Sequence, residues 1–121
     1  TLHSVDIHEG PALGFVDDRW TFHRGDDLVL ADELPDADLV FIDTSHLYEH
    51  TLAELEAYTK KVRPGGWLVL HDTELAEPYG HNGEPFPVKR AVTEFCDANS
   101  LQWVNIPDNN GRAVVSIPEE V

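Results

Sequence analysis

The residues with the most chemical promise are two aspartates and a histidine. Asp43 ends the apolar run Leu39 to Ile42, and His46 follows three residues later, within "LVFIDTSHLYEH" at 39–50. A second apolar run, "WLVLHD" at 67–72, also ends in a polar pair, His71 and Asp72. Asp6 closes an earlier strand-like stretch, and Asp26 and Asp27 follow another. Clustered carboxylates repel one another unless something cationic stands between them. A hard divalent cation such as Mg²⁺, held by one or two carboxylates and completed by water or substrate oxygens, meets that need. An imidazole one turn beyond Asp43 could face the same spot as a proton acceptor. Each acid also has a plainer explanation, as a helix N-cap or a solvated loop residue. Asp43, Thr44 and Ser45 can all cap a helix that follows them. A lone histidine is more often structural or exposed, and His46 gains weight only from the acids beside it.

These residues are useful together only if the elements carrying them bring their ends to one rim. "LHSVDI" at 2–7 suits a short strand ending near Asp6, and "HEGPALG" at 8–14 begins a loop. "WTFHRGDD" at 20–27 predicts a brief strand broken at Gly25, and 28–37 a short helix stopped by Pro35. "DLVFID" at 38–43 is a continuous apolar run of strand length, expected of a central parallel strand covered on both faces. Apolar residues at 48, 52, 55, 58 and 62 form one stripe of an amphipathic helix, which Pro64, Gly65 and Gly66 are expected to stop and turn. After the strand at 67–72 comes a loop over 73–86, then a helix opened by Pro87 with Val88, Ala91, Val92 and Phe95 on one face. "LQWVNI" at 101–106 and "RAVVSI" at 112–117 flank Asn110-Gly111, a strong hairpin cue. Buried strands alternating with helices predict a layered α/β fold, here a single domain over 1–121. In an open parallel sheet, ligands collect at the carboxyl ends of the strands, where the acids stand.

Composition narrows the partners. The 121 residues include 23 acidic and eight basic ones, a net charge of −15. A field of that sign repels nucleic acid and anionic membrane surfaces. No apolar run is long enough to span a membrane, and the N-terminus lacks the layout of a signal peptide. Cys96 is the one cysteine and cannot form an internal disulfide, which favours a reducing, cytoplasmic setting. The chain starts at Thr1 and contains no methionine, as expected of a fragment.

Five segments carry a family resemblance: "VDI" at 5–7, "GDD" at 25–27, "LVFIDTSHLYEH" at 39–50, "VRPGGWLVLHDT" at 62–73 and "VVSIP" at 114–118. Together they resemble class I S-adenosylmethionine-dependent methyltransferases over nearly the whole chain. The Asp-x-x-His element at 43–46 and the acid at Asp72 are similar to those of metal-dependent sugar and macrolide O-methyltransferases and cephalosporin hydroxylase-like proteins. The resemblance implies a Rossmann-like, mostly parallel sheet with a C-terminal antiparallel hairpin. The first strand and its glycine-rich loop are not matched, and that departure predicts weak cofactor binding by these residues alone. The resemblance further implies that Asp6 bonds the cofactor's ribose hydroxyls and that Asp26 or Asp27 meets its adenine. It makes Asp43 and Asp72 metal ligands, with Mg²⁺ the expected ion, and His46 the base for a small, hydroxylated, sugar-like acceptor. Relatives often carry Glu-Asp where this chain has His71-Asp72, so His71 is either a ligand or structural. The loop with His81, Asn82 and Gly83 is either a lid over the acceptor or an ordinary surface loop. Two other functions share the scaffold. One is a hydroxylase-like enzyme. The other is a non-catalytic Rossmann-like assembly module, able to form a homo-oligomer through a free sheet edge.

Overall fold

A computed structural model describes residues 1–10, 14–75 and 85–119. The chain divides into two compact units, Thr1–Pro35 and Asp36–Val121.

In the first unit, β1 (Leu2–Asp6) pairs in parallel with β2 (Trp20–Arg24), Leu2 facing Trp20 and Asp6 facing Arg24. Trp20 Nε1 donates to Ser4 Oγ at 2.9 Å, tying the two strands through their side chains. Beyond Gly25 come α1 (Asp27–Leu30) and a 3₁₀ turn (Ala31–Glu33), as the sequence predicts for a short helix ahead of Pro35.

The second unit is a four-stranded sheet in the order β3-β4-β6-β5. β3 (Ala37–Ile42) runs parallel to β4 (Val62–His71), while β5 (Gln102–Ile106) and β6 (Arg112–Ser116) form the expected antiparallel hairpin. β6 lies between β4 and β5. Helices α2 (Tyr48–Thr59) and α3 (Pro87–Asn99) follow β3 and β4 and pack on each other. Ile42, Leu68, Leu70, Ala113 and Val115 on the sheet are buried, as are Leu55 of α2 and Val88, Ala91, Val92 and Cys96 of α3. Alternation along each strand accounts for this, because one pleat face meets the helices. Burial pushes the Cys96 thiol up to about 11, so it is a small core residue.

Three sequence expectations are corrected here. β3 is an edge strand among the described residues, and its Leu39 and Phe41, with Trp67 paired to Leu39 on β4, stay more than half exposed. The apolar run therefore does not mark a strand covered on both faces. Pro64, Gly65 and Gly66 do not end a helix; they lie inside β4, where the pairing with β3 shifts register between Ala37 and Leu39. The helix stops earlier, at Thr59, and Val62 belongs to β4. The buried stripe of α2 is Thr51, Glu54, Leu55 and Tyr58, with Tyr48 and Leu52 only half-buried.

Gly66 is required by close approach. A Cβ built there would stand 2.5 Å from the Asp38 carbonyl oxygen and 2.7 Å from Val62 Cγ1. Backbone on the neighbouring strand cannot yield without breaking the ladder, so Gly66→Ala is expected to cost about 2–4 kcal/mol. A shift in the denaturant midpoint at unchanged slope is the check.

Candidate active site

The chain after β3 is held in place from below. Glu54 is completely buried in α2, and its two carboxylate oxygens each accept from Thr44 Oγ1 at 2.8 Å. Its Oε2 also lies 3.8 Å from His50 Nε2, while His50 Nδ1 is 2.6 Å from Ser45 Oγ. A buried carboxylate is tolerable only with such partners. These contacts fix the turn 43–47 against α2. The cap explanation for Asp43 fails, because the N-cap of α2 is Leu47 and no side chain caps it. Asp43 is thus left with its carboxylate half exposed at the end of β3.

The end of β4 is pinned from the other side by the hairpin. Asp72 N donates to Gly111 O at 2.8 Å, and Glu74 N donates to Asn110 O at 2.8 Å. Asn109, Asn110 and Gly111 all have positive φ, at 54°, 66° and 83°. A Cβ on Gly111 would lie 2.4 Å from Thr73 Oγ1, so the tight approach needs glycine there. Thr73 Oγ1 in turn donates to Asn105 Oδ1 at 2.5 Å, and Asn105 Nδ2 donates to Glu74 Oε1 at 2.6 Å.

Between these two anchored ends the side chains converge. His46 Nε2 lies 2.6 Å from Asp72 Oδ2 and 3.9 Å from Asp43 Oδ1. Ligand atoms of Asp43, His46 and Asp72 all fall within 4.8 Å of one another, a spacing one ion could bridge. Asp72 is buried, whereas His46 remains partly open to solvent. His46 and Asp72 are also held at φ 63° and 71°, in the left-handed region. For a non-glycine residue that conformation costs roughly 1–2 kcal/mol, and such outliers gather where function over-determines the backbone. His46 and His71 line one small cleft with apolar Ile42, Leu70 and Val88. Apolar walls strengthen every electrostatic interaction inside.

His71 is the residue whose role sequence left undecided. Its Nε2 donates to the Asn109 carbonyl at 2.8 Å. Its Nδ1 stands 3.2 Å from Asp72 Oδ2 and 3.6 Å from Asp43 Oδ1. Burial pulls the imidazole pKa down, but the Asn109 carbonyl and the charges of Asp72 and Asp43 outweigh it, and the net shift is upward. A proton held this way stabilises the fold below the unfolded pKa of about 6.5, and that contribution is lost as pH rises through the raised folded value.

The three acids expected at a cofactor lie in the first unit. Asp6 accepts from His8 N at 2.9 Å and lines a cavity of about 510 Å³ walled by Phe15, Trp20 and Phe22. Asp26 caps α1 by accepting from Leu28 N at 2.8 Å, and Asp27 is the first residue of that helix. The cap gives Asp26 a structural duty of its own. The lid expected from His81, Asn82 and Gly83 lies outside the described residues. Sequence reasoning missed Glu54, Asn105 and Asn109. A glutamate on the inner face of α2 was the one available signal, and it was masked by the apolar stripe drawn beside it.

Comparison with known proteins supplies the context for this geometry. Residues 1–73 match the family model described as a methyltransferase domain. The chain is 34% identical over 80 residues to demethylmacrocin O-methyltransferase of Streptomyces fradiae, covering 63% of this chain and 20% of that protein. Among solved structures, a Corynebacterium glutamicum protein superposes with a TM-score of 0.78 at 23% identity, over 100% of this chain and 62% of that one. The MycE methyltransferase of the mycinamycin biosynthetic pathway, in complex with Mg and SAH, superposes with a TM-score of 0.66 at 20% identity, over 97% of this chain and 36% of that one. Both likenesses show the fold, an α/β Rossmann-like methyltransferase architecture. The chain spans only a fifth of the length of the curated relative it matches.

Proposed function

This chain belongs to the methyltransferase-domain family, and on that premise we propose that it forms part of an S-adenosylmethionine-dependent O-methyltransferase acting on a small, hydroxylated, sugar-like acceptor, with a divalent cation and His46 as base. The observation that carries this reading is the convergence of Asp43, His46 and Asp72 at the ends of two parallel strands. MycE supports it, since that relative was solved with Mg and SAH.

The donor set suits a cation. Asp43 and Asp72 offer hard oxygen ligands, and the half-exposed Asp43 leaves a path for solvent and acceptor. A bound divalent ion supplies Lewis acidity, lowering the pKa of a hydroxyl placed against it. His46 would take the acceptor's proton at Nδ1, because its Nε2 carries the hydrogen given to the Asp72 carboxylate 2.6 Å away, a contact that orients the ring. S-adenosylmethionine, when bound, would supply the methyl group to the acceptor oxygen, its sulfur keeping the electron pair of the broken carbon–sulfur bond as S-adenosylhomocysteine. Alignment of the two reactants can contribute about 7–11 kcal/mol to lowering the barrier. In the first unit, Asp6 at the lining of the aromatic-walled cavity suits ribose hydroxyls, and Asp26 or Asp27 beyond β2 would meet the adenine. A net charge of −15 attracts a sulfonium cofactor and a divalent cation, and it favours an uncharged acceptor over a polyanion.

Incubation of the protein with methyl-labelled S-adenosylmethionine and a panel of sugars and glycosides tests this. A product heavier by one CH₂, formed with divalent ion and lost with chelator, is expected. A product heavier by one oxygen, or methyl transfer indifferent to chelator, would contradict it.

A further inference from the structure

The imidazole of His71 has its orientation dictated by a backbone carbonyl. A carbonyl oxygen can only accept, so Nε2 carries a hydrogen and gives it to Asn109 O. In the neutral ring the lone pair then sits on Nδ1. Among the described residues that atom is buried without a hydrogen-bond partner of good geometry, yet it faces Asp72 Oδ2 at 3.2 Å and Asp43 Oδ1 at 3.6 Å. Three electron-rich atoms turned toward one another are repulsive unless a positive centre joins them, either a second ring proton at low pH or a bound cation once that proton has left.

We infer that His71 is a nitrogen ligand of the cation held by Asp43 and Asp72, and that it turns the site's preference from Mg²⁺ toward borderline transition ions such as Mn²⁺, Co²⁺ or Zn²⁺. Neighbouring ligands on an ion with bonds of about 2.0–2.2 Å stand roughly 3–3.6 Å apart, which the two His71 distances satisfy. Metal-bound histidines characteristically donate their second ring N–H to a carbonyl or carboxylate, the duty Asn109 performs here. Asn109 and Asn110 hold the hairpin in left-handed conformations that aim this carbonyl at the ring, so the outer contact is built into the turn. Imidazole raises affinity for ions later in the divalent series, whereas Mg²⁺ favours oxygen and water. This inference deepens the proposed function and rests on its Asp43–Asp72 cation site.

Calorimetric titration of the protein with Mg²⁺, Mn²⁺ and Co²⁺, with proton NMR of the Co²⁺ form, provides the test. Co²⁺ is expected to bind at least about tenfold more tightly than Mg²⁺, with a strongly shifted exchangeable signal from the His71 ring N–H. His71→Gln is expected to lower Co²⁺ affinity about 10–100-fold and to remove that signal, with Mg²⁺ binding changed far less. His71→Glu should recover Mg²⁺ affinity by supplying an oxygen donor. If His71→Gln leaves Co²⁺ affinity and the signal intact while Asp72→Asn abolishes binding, the cation site stands and His71 is not its ligand. If the unaltered protein binds none of the three ions, the inference and the metal-dependent mechanism fall together, whereas methyl transfer without an ion would still be measurable.

Discussion

Asp72→Asn is expected to weaken divalent-cation binding by about 100-fold or more while leaving the fold in place. The substitution isolates charge. Asn has nearly the shape of Asp and tolerates the left-handed conformation that Asp72 adopts at φ 71°, so the turn has no new strain. The Asp72 backbone N–H still reaches the Gly111 carbonyl. What disappears is the negative charge of a buried carboxylate that stands 2.6 Å from His46 Nε2 and 3.2 Å from His71 Nδ1. A 100-fold loss corresponds to about 2.7 kcal/mol, within the about 2–5 kcal/mol of binding lost when one partner of a buried hydrogen-bonded charge pair is removed. Calorimetry with Mn²⁺ measures it, and circular dichroism confirms the fold. Unchanged affinity would show that the ion is held elsewhere.

His46→Ala is expected to lower the methyl-transfer rate about 10²–10⁴-fold, the usual reach of a positioned general base, with cofactor affinity nearly unchanged. Two details of the structure sharpen this result. His46 occupies the left-handed region, where alanine is strained, so His46→Asn serves as the companion variant. His46 Nε2 also lies close enough to both acids to act as a ligand itself. A base affects kcat and leaves the cation's dissociation constant alone; a ligand changes both in proportion. Equal loss of rate and cofactor affinity would instead make the histidine structural.

Local pattern revealed much of this. The runs ending at Asp43 and Asp72, the α3 face of Val88, Ala91 and Val92, and the Asn110-Gly111 turn were legible because each depends on neighbours in sequence. The failures share one cause, a partner far along the chain. Pro64, Gly65 and Gly66 look like a turn, yet they lie in β4 at the register shift opposite β3, where Gly65 and Gly66 bond to Ile117, and Gly66 is small because the Asp38 carbonyl crosses it. Glu54 is buried because Thr44, ten residues earlier, satisfies it. Hydropathy alone cannot see that compensation. The same holds for His71, whose tautomer is set by a carbonyl 38 residues away. Asp43 and Asp26 were equally plausible helix caps; only Asp26 became one.

Crystals of the protein grown with Mn²⁺ and measured at the manganese absorption edge would address the cation site directly. One anomalous peak bonded to carboxylate oxygens of both Asp43 and Asp72 is predicted, with His71 Nδ1 in the same coordination shell and His46 beside it. A peak that touches neither aspartate, or an ion bound by only one of them at the protein surface, would contradict it.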